Sequence, residues 1–478
     1  MKIFVLNPPY PVAIIREGRC QSPQNMRKNS VPQMTLAYLA ANLEAAGHQV
    51  VACDAIALGL SEADTIKRMQ DFKPDLALFN TTTPSIANDL KFAEKFKAMI
   101  PDCFIALFGT HVTATHRETM EANTFIDATI RNEPEWAALA LAEALAKRGS
   151  KTESMDVAGC TLRVRDVIRE CLPRDFVTDL DSLKFPAWQH FPVDEYLHPV
   201  FNKPYLMVNT SRGCVHGCVF CVAHQFYGRK VRYRSVESVV TEIRDHVMGR
   251  FGVRHIWLYA DDFTRNPEYV KKLCRAILKE KLKIVWWTNT RVDVKDEEMF
   301  RLMKQAGCHM LSIGGESADP EILKRIRKAT KPADIRETVR ILRKVGINSL
   351  VYFLIGLPGE TRETIRTTIE FSKSINPDYV EFYPATPYPG TEFQQIAFRE
   401  NMIEVHEWEK YMCGGSEFVV KIPGVEKWEL EGILRKAFRE FYFRPMYFWI
   451  FLKRIMHPME FLRLARFGIG YVFRFFRS

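Results

Sequence analysis

Between residues 205 and 384 the chain passes through six short apolar runs: YLMVNT (205–210), HIWLYAD (255–261), IVWWTN (284–289), MLSIGG (310–315), SLVYFLIG (349–356) and YVEFYP (379–384). Segments with helical spacing separate them, among them VESVVTEIRDHVMGRFG and DIRETVRILRKVG. Six strand–helix units predict an incomplete (β/α)6 barrel, with its chemistry at the carboxyl ends of the strands.

A second alternation precedes this one. KIFVLN (2–7), VVACDA (50–55), DLALFNT (75–81) and CFIALFG (103–109) are strand-like, and LAYLAANLEAAGH, NDLKFAEKFKAMI and EWAALALAEALAKRG are helix-like. This pattern implies a parallel, doubly wound (Rossmann-like) sheet over residues 1–150. Residues 151–200 differ. TLRVRDVIREC predicts a small hairpin and DLDSLKFPAWQHFP a connector, so the boundary falls here, followed by the barrel (201–415) and a short helical segment (416–478). A chain of 478 residues with 47% apolar and 26% charged residues has the composition of a globular protein. MKIFVLNPPYP lacks the character of a signal peptide, and no run reaches membrane-spanning length, which predicts a cytoplasmic protein with reduced thiols.

That compartment gives meaning to SRGCVHGCVFC, where Cys214, Cys218 and Cys221 follow the first barrel strand. The eleven cysteines form no regular disulfide framework, so this triplet reads as metal binding or catalysis. Cys-x3-Cys-x2-Cys can wrap three corners of an iron–sulfur cubane and leaves one iron open, the mark of a reactive centre. The alternative is a zinc knuckle completed by His216 or His224, but the second short ligand spacing of such sites is missing.

With Phe220 before its last cysteine, the loop resembles that of the radical S-adenosylmethionine (SAM) enzymes. The resemblance implies a 4Fe–4S cluster whose open iron binds SAM, and cleavage of SAM to a 5′-deoxyadenosyl radical. Later segments match in order. ADDFTRN offers Asp261 and Asp262 for the SAM amino group, WTNTRVD offers Arg291 for its carboxylate, and Glu316, after the fourth strand, falls in the ribose or carboxylate region. FLIGLPGET, with Gly356 and Glu360, resembles the adenine-side segment, and YPATPYPGTEF, with Tyr383, the last-strand segment that closes over adenine. Taken singly, Arg291–Asp293 could be a surface pair and Gly-Leu-Pro-Gly a plain turn.

Residues 1–150 resemble the cobalamin-binding domain of cobalamin-dependent radical SAM proteins, the group of the anaerobic magnesium-protoporphyrin ester cyclase, the hopanoid-modifying enzymes and the carbon and phosphorus methylases. DLDSLKFPAW resembles that group's connector, and the likeness spans almost all of residues 1–415. The resemblance implies cobalamin contacts at Asn7, Asp54, Gly59, Thr81, Thr82, Gly109 and His111. Two positions depart from the pattern. Ile56 stands where a cobalt-ligating histidine is expected, and Thr110 replaces the second glycine of a Gly-Gly step. Cobalamin then binds without a histidine from this loop, or the domain serves only as a lid.

Residues 430–478 interleave Arg/Lys with aromatics in Pro-interrupted helices, with Arg463, Arg466, Arg474 and Arg477 breaking an apolar pattern. This fits either an interfacial membrane anchor or a cap on the barrel. The Phe excess suits lipid better than nucleic acid. The overall expectation is methylation of an unactivated carbon of an apolar substrate (lipid, terpenoid or tetrapyrrole), with methylcobalamin as methyl donor and flavodoxin or ferredoxin as electron donor. Oxidative cyclisation or C–C coupling is the alternative, and a non-catalytic iron–sulfur electron carrier is a third reading.

Overall fold

The structure, a computed structural model, describes residues 1–447 apart from 13, 18–20, 22–29, 149–154, 166 and 446. The N-terminal unit alternates strands and helices: β1 (Lys2–Asn7), α1 (Met34–Ala45), β2 (Gln49–Asp54), α2 (Glu62–Phe72), β3 (Leu76–Thr81), α3 (Ile86–Met99), β4 (Phe104–Gly109), α4 (Thr110–Ala122), β5 (Ala128–Ile130) and α5 (Pro134–Arg148). β3 and β4 are buried at every residue, which is why they read as unbroken apolar runs. On one face Phe79 packs edge-on against Phe92 and Phe96 of α3.

The hairpin β6 (Cys160–Val164) and β7 (Val167–Glu170) is not part of the connector. β6 pairs antiparallel with β5, so the sheet has seven strands in the order β2-β1-β3-β4-β5-β6-β7. Ile130 and Cys160 are a register pair, and the Arg131 backbone N–H donates to Gly159 O. The short β5 would otherwise end the sheet as an exposed edge. The chain reverses direction across the sheet at β1/β3, and in such sheets ligands lodge beyond the strand ends at that reversal.

The second unit is the expected incomplete (β/α)6 barrel. β8 (Tyr205–Asn209) leads to a ribbon of β9 (Ser211–Arg212) and β10 (Arg232–Tyr233), with α6 (Ala223–Tyr227) between them. α7 (Val236–Thr241), β11 (His255–Tyr259), α8 (Pro267–Lys279), β12 (Val285–Thr290), α9 (Glu297–Gln305), β13 (Cys308–Glu316), α10 (Pro320–Arg325), α11 (Pro332–Val345), β14 (Asn348–Ile355), α12 (Arg362–Ile375), β15 (Tyr379–Pro384) and α13 (Glu392–Arg399) follow. The six parallel strands lie in the order β15-β14-β13-β12-β11-β8. The connector is seated between the units by fully buried Trp188 and Tyr196 and by Ala187 N–H bonding to Ala37 O in α1. One continuous apolar core therefore runs through both units.

α14 (Lys427–Tyr442) opens the basic aromatic segment and covers the edge strand β15. Phe438 packs on Phe382 at 5.5 Å, and the Tyr442 hydroxyl pairs with both backbone groups of Val380. This part of the segment is a cap on the barrel, satisfying an edge that parallel pairing leaves open. Arg463, Arg466, Arg474 and Arg477 lie outside the described residues. Among the described residues no helix is long and apolar enough to cross a membrane.

Candidate active site

The cysteine loop leaves the carboxyl end of β8 and turns back over the barrel mouth. Gly213 has a left-handed φ of 94°, and a Cβ there would stand 2.3 Å from Lys230 O, so the tight turn requires glycine. Cys214 N–H bonds to Gly228 O and Cys221 N–H to Cys218 O, folding the loop on itself. As a result Cys214, Cys218 and Cys221 line one cavity together with Phe220, Asp261, Arg291, Glu316 and Lys328. None of the described cysteines is in a disulfide.

The strand ends around this cavity bring most of the expected residues together. Asp261, just beyond β11, accepts from Gly213 N–H at 3.0 Å and so fastens the loop to the barrel. Asp262 meets His216 Nε2 at 3.4 Å. Burial pushes its carboxyl up, but His216 and Arg291 outweigh this and hold it below the usual carboxylate range. Arg291 is directed differently from the expectation. Its Nε and Nη2 bind Asp293 at 2.7 and 3.3 Å, Nη2 also donates to Lys328 O, and Nη1 lies 3.6 Å from Cys218 Sγ. The bidentate partner is thus Asp293, and the guanidinium faces a cysteine sulfur.

A second cation, absent from the sequence expectations, faces the cavity. Lys328 is buried, and its Nζ lies 2.7 Å from Glu316 Oε1. Glu316 itself has a left-handed φ of 62° at a register shift between β13 and β14, a strained backbone that turns its carboxylate inward. The basic run KRIRKATK looks like a solvated helix end in sequence, and its one buried lysine carries no local signal.

Gly356 and Glu360 form a unit of their own. Glu360 Oε2 accepts from Gly356 N–H at 2.7 Å and Leu357 N–H at 3.0 Å, and burial pushes its carboxyl up to about 8. Its carboxylate is spent on shaping this turn. Tyr383 stacks on Tyr352 at 5.6 Å on the neighbouring strand β14.

In the N-terminal unit, Asn7, Thr81 and Thr82 lie at the β1/β3 reversal, with Gly109 and His111 beside them at the end of β4. Gly109 has φ 122°, and a Cβ there would lie 2.0 Å from Thr81 O. His111 is held neutral, pushed down to about 3 by burial, with Thr83 Oγ1 3.3 Å from its Nδ1 and Trp408 against its ring. Asp54 ends β2, the edge strand one step away from the reversal, and Gly59 lies in the turn after it. Asp54 accepts from Asn7 Nδ2 at 2.7 Å and from the connector's Tyr196 hydroxyl at 2.9 Å, so it ties strand to connector. Arg16, paired with Asp89 at 2.6 Å, and Gln21, bonded to Thr83 and Thr110, occupy the strand ends.

Residues 208–372 match the radical SAM superfamily and residues 26–142 the B12 binding domain. The chain is 32% identical to an uncharacterized methyltransferase of Pyrococcus horikoshii over 93% of both chains. The chain belongs to the cobalamin-binding radical SAM family. It is 28% identical to the anaerobic magnesium-protoporphyrin IX monomethyl ester cyclase of Rubrivivax gelatinosus, over 86% of this chain and 74% of that one. Its fold resembles that of the radical SAM methyltransferase TsrM from Kitasatospora setae (TM-score 0.66, 18% identity, 85% of this chain and 79% of that one). It is a radical SAM enzyme, and its cofactors are a 4Fe–4S cluster, SAM and cobalamin.

The residues present fit these groups in kind. Three thiols in one cavity, beside the Arg291 and Lys328 cations, suit an anionic thiolate-ligated cluster. Hydroxyls, a close-packed Gly109 and a neutral imidazole at the sheet reversal suit a buried uncharged group.

Proposed function

We propose that this enzyme methylates an unactivated carbon of an apolar small molecule. The observation that carries the site assignment is the single cavity that gathers Cys214, Cys218 and Cys221 with Asp261, Glu316 and Lys328, its wall residue His216 reaching Asp262 at 3.4 Å. In this reading the three cysteines hold the cluster. When bound, the cluster and SAM supply a primary carbon radical, and cobalamin supplies a methyl carrier. The chain's own residues bind and orient. Asp261 fixes the loop, and Asp262, kept ionised in the barrel mouth, receives the SAM ammonium. Glu316 faces the ribose and Lys328 the carboxylate. Glu360 holds the Gly356 turn, and Tyr383 with Tyr352 forms an aromatic wall for adenine. Asn7, Thr81, Thr82, Gly109 and His111 border the cobalamin, while Asp54 and Gly59 shape the edge of that unit.

Functionally the chain divides as residues 1–150 with the following hairpin, a connector to 200, the barrel to 415, and the cap and tail beyond. A flavodoxin or ferredoxin supplies electrons, and the tail beyond α14 contacts a cytoplasmic membrane face, which fits an apolar substrate. Oxidative cyclisation is the second reading, favoured by the likeness to the ester cyclase over 86% of the chain. Anaerobic reconstitution followed by product analysis separates the two. Methylation yields both 5′-deoxyadenosine and S-adenosylhomocysteine, and deoxyadenosine alone would overturn it. Absence of Cys214→Ala-sensitive SAM turnover would leave only the electron carrier. Flotation with anionic vesicles, comparing the full chain with one ending at Tyr447, which keeps α14, tests the membrane contact.

A further inference from the structure

The cysteine loop hangs from a stem. β9 and β10 pair antiparallel with Arg212 opposite Arg232, closing residues 213–231 into a loop. Both stem arginines point out of the barrel and into the N-terminal unit. Arg212, 1% exposed, donates to Glu133 Oε1 at 3.3 Å and to Glu135 Oε1 at 2.7 Å, at the start of α5. Its guanidinium lies 5.3 Å from the Tyr38 ring of α1 and 5.2 Å from the Tyr227 ring. Arg232 donates to the other oxygen of Glu133 at 2.9 Å, to Val177 O in the connector at 2.6 Å and to Tyr227 O at 2.5 Å. One carboxylate, Glu133, therefore holds both strands of the stem.

Such a cluster is a poor device for stability alone. Taking these charges out of water costs much of what their attraction returns, and apolar residues of similar size would serve a core as well or better. Arg212 Nε and Glu135 Oε2 even lack a hydrogen-bond partner among the described residues. What the ion pairs supply is registry: two planar forks fix direction and distance at once. The stem is coupled tightly to the cysteines, because Arg212 is two residues from Cys214, whose N–H bonds to Gly228 O, next to the Tyr227 carbonyl that Arg232 holds. Any shift of α5 against the barrel is passed to the loop.

We propose that Arg212 and Arg232, with Glu133 and Glu135, form an interdomain latch through which the N-terminal unit orders the cysteine loop and sets its position. They are positioning residues. The consequence for iron rests on the assignment of the three cysteines as cluster ligands; the ordering of the loop does not.

The test uses the full-length chain. Hydrogen exchange of the cofactor-free protein is compared for wild type, Glu135→Gln, Arg212→Met/Glu135→Gln and Arg212→Lys, and iron per chain is counted after reconstitution. The double variant leaves no lone buried charge from the 212–135 pair, so it folds even if Glu135→Gln does not. The latch predicts at least tenfold faster exchange in peptides covering 213–231 for the double variant, with peptides of β13 unchanged. Reconstituted iron falls to less than half of wild type, and Arg212→Lys is intermediate in both. Exchange in 213–231 within twofold of wild type overturns the latch, as does an equal rise in β13, which would mean general loosening. A wild-type protein that takes up no iron overturns the cluster assignment, and the exchange data still decide the latch.

Discussion

The Lys328 ammonium lies 2.7 Å from the Glu316 carboxylate, and both side chains are buried in the wall of the cysteine cavity. Arg291 is paired with Asp293, so the proposed site assigns the SAM carboxylate to Lys328. Lys328→Met should weaken SAM binding at least tenfold, about 1.4 kcal/mol, and, because it strands the buried Glu316 carboxylate, should also cost about 3 kcal/mol of stability. Arg291→Gln should instead shift the cluster's reduction potential, because it removes a donor to Cys218 sulfur. Equilibrium dialysis with labelled SAM and a redox titration measure the two. Equal SAM affinity in Lys328→Met and wild type would exclude Lys328 as the anchor.

Gly314 makes room for that ion pair. A Cβ at this position would stand 2.4 Å from Glu316 Oε1 and 2.6 Å from Lys328 Nζ, the mobile ends of two side chains. Gly314→Ala should therefore push the pair apart at little cost to the fold, within about 1 kcal/mol of wild-type stability. Its SAM affinity should fall as in Lys328→Met. Chemical denaturation alongside the binding assay checks both halves, and a destabilised variant with normal affinity would contradict this.

Gly109→Ala should behave in the opposite manner. Here the obstacle is backbone, Thr81 O at 2.0 Å from the added Cβ, and φ is 122°. Neither strand can yield without breaking the β3–β4 ladder, where Thr81 and Gly109 are register partners. A loss of about 3 kcal/mol or more is expected, seen as a lowered denaturation midpoint. A wild-type midpoint would show that the strand ends relax freely.

The barrel was legible because its strands are buried apolar runs in sequence order with helices between them. The cysteine triplet was legible because all its ligands fall within eight residues. Long-range partnerships were not. Arg212 and Glu135 are 77 positions apart, and nothing local distinguishes them from solvated charges. Asp293 is two residues from Arg291, and the pair that might have lain on the surface is instead half-buried beside Cys218. The place of Asp54 depends on strand order. Sequence shows that a strand ends there but not that β2 lies at the sheet edge, away from the reversal.

Glu17 carries a pH dependence with a definite sign. Its carboxyl is buried beside Arg212 and Glu135 and accepts from Thr35 N–H at 2.9 Å and Thr35 Oγ1 at 2.7 Å. Burial, the dominant influence, still pushes it up from 4.5 to about 7. Between those two values the folded chain keeps a proton that the unfolded chain has released. Stability from this group is therefore complete below pH 4.5 and declines as pH rises to 7, by about 3 kcal/mol in all. Glu17→Gln keeps the shape without the titration, so it should match wild type near pH 4 and exceed it by up to about 3 kcal/mol at pH 8. Urea unfolding at a series of pH values gives the comparison. A variant with the wild-type slope between pH 4.5 and 7, or one less stable than wild type at pH 8, would show that Arg212 keeps Glu17 ionised in the folded chain.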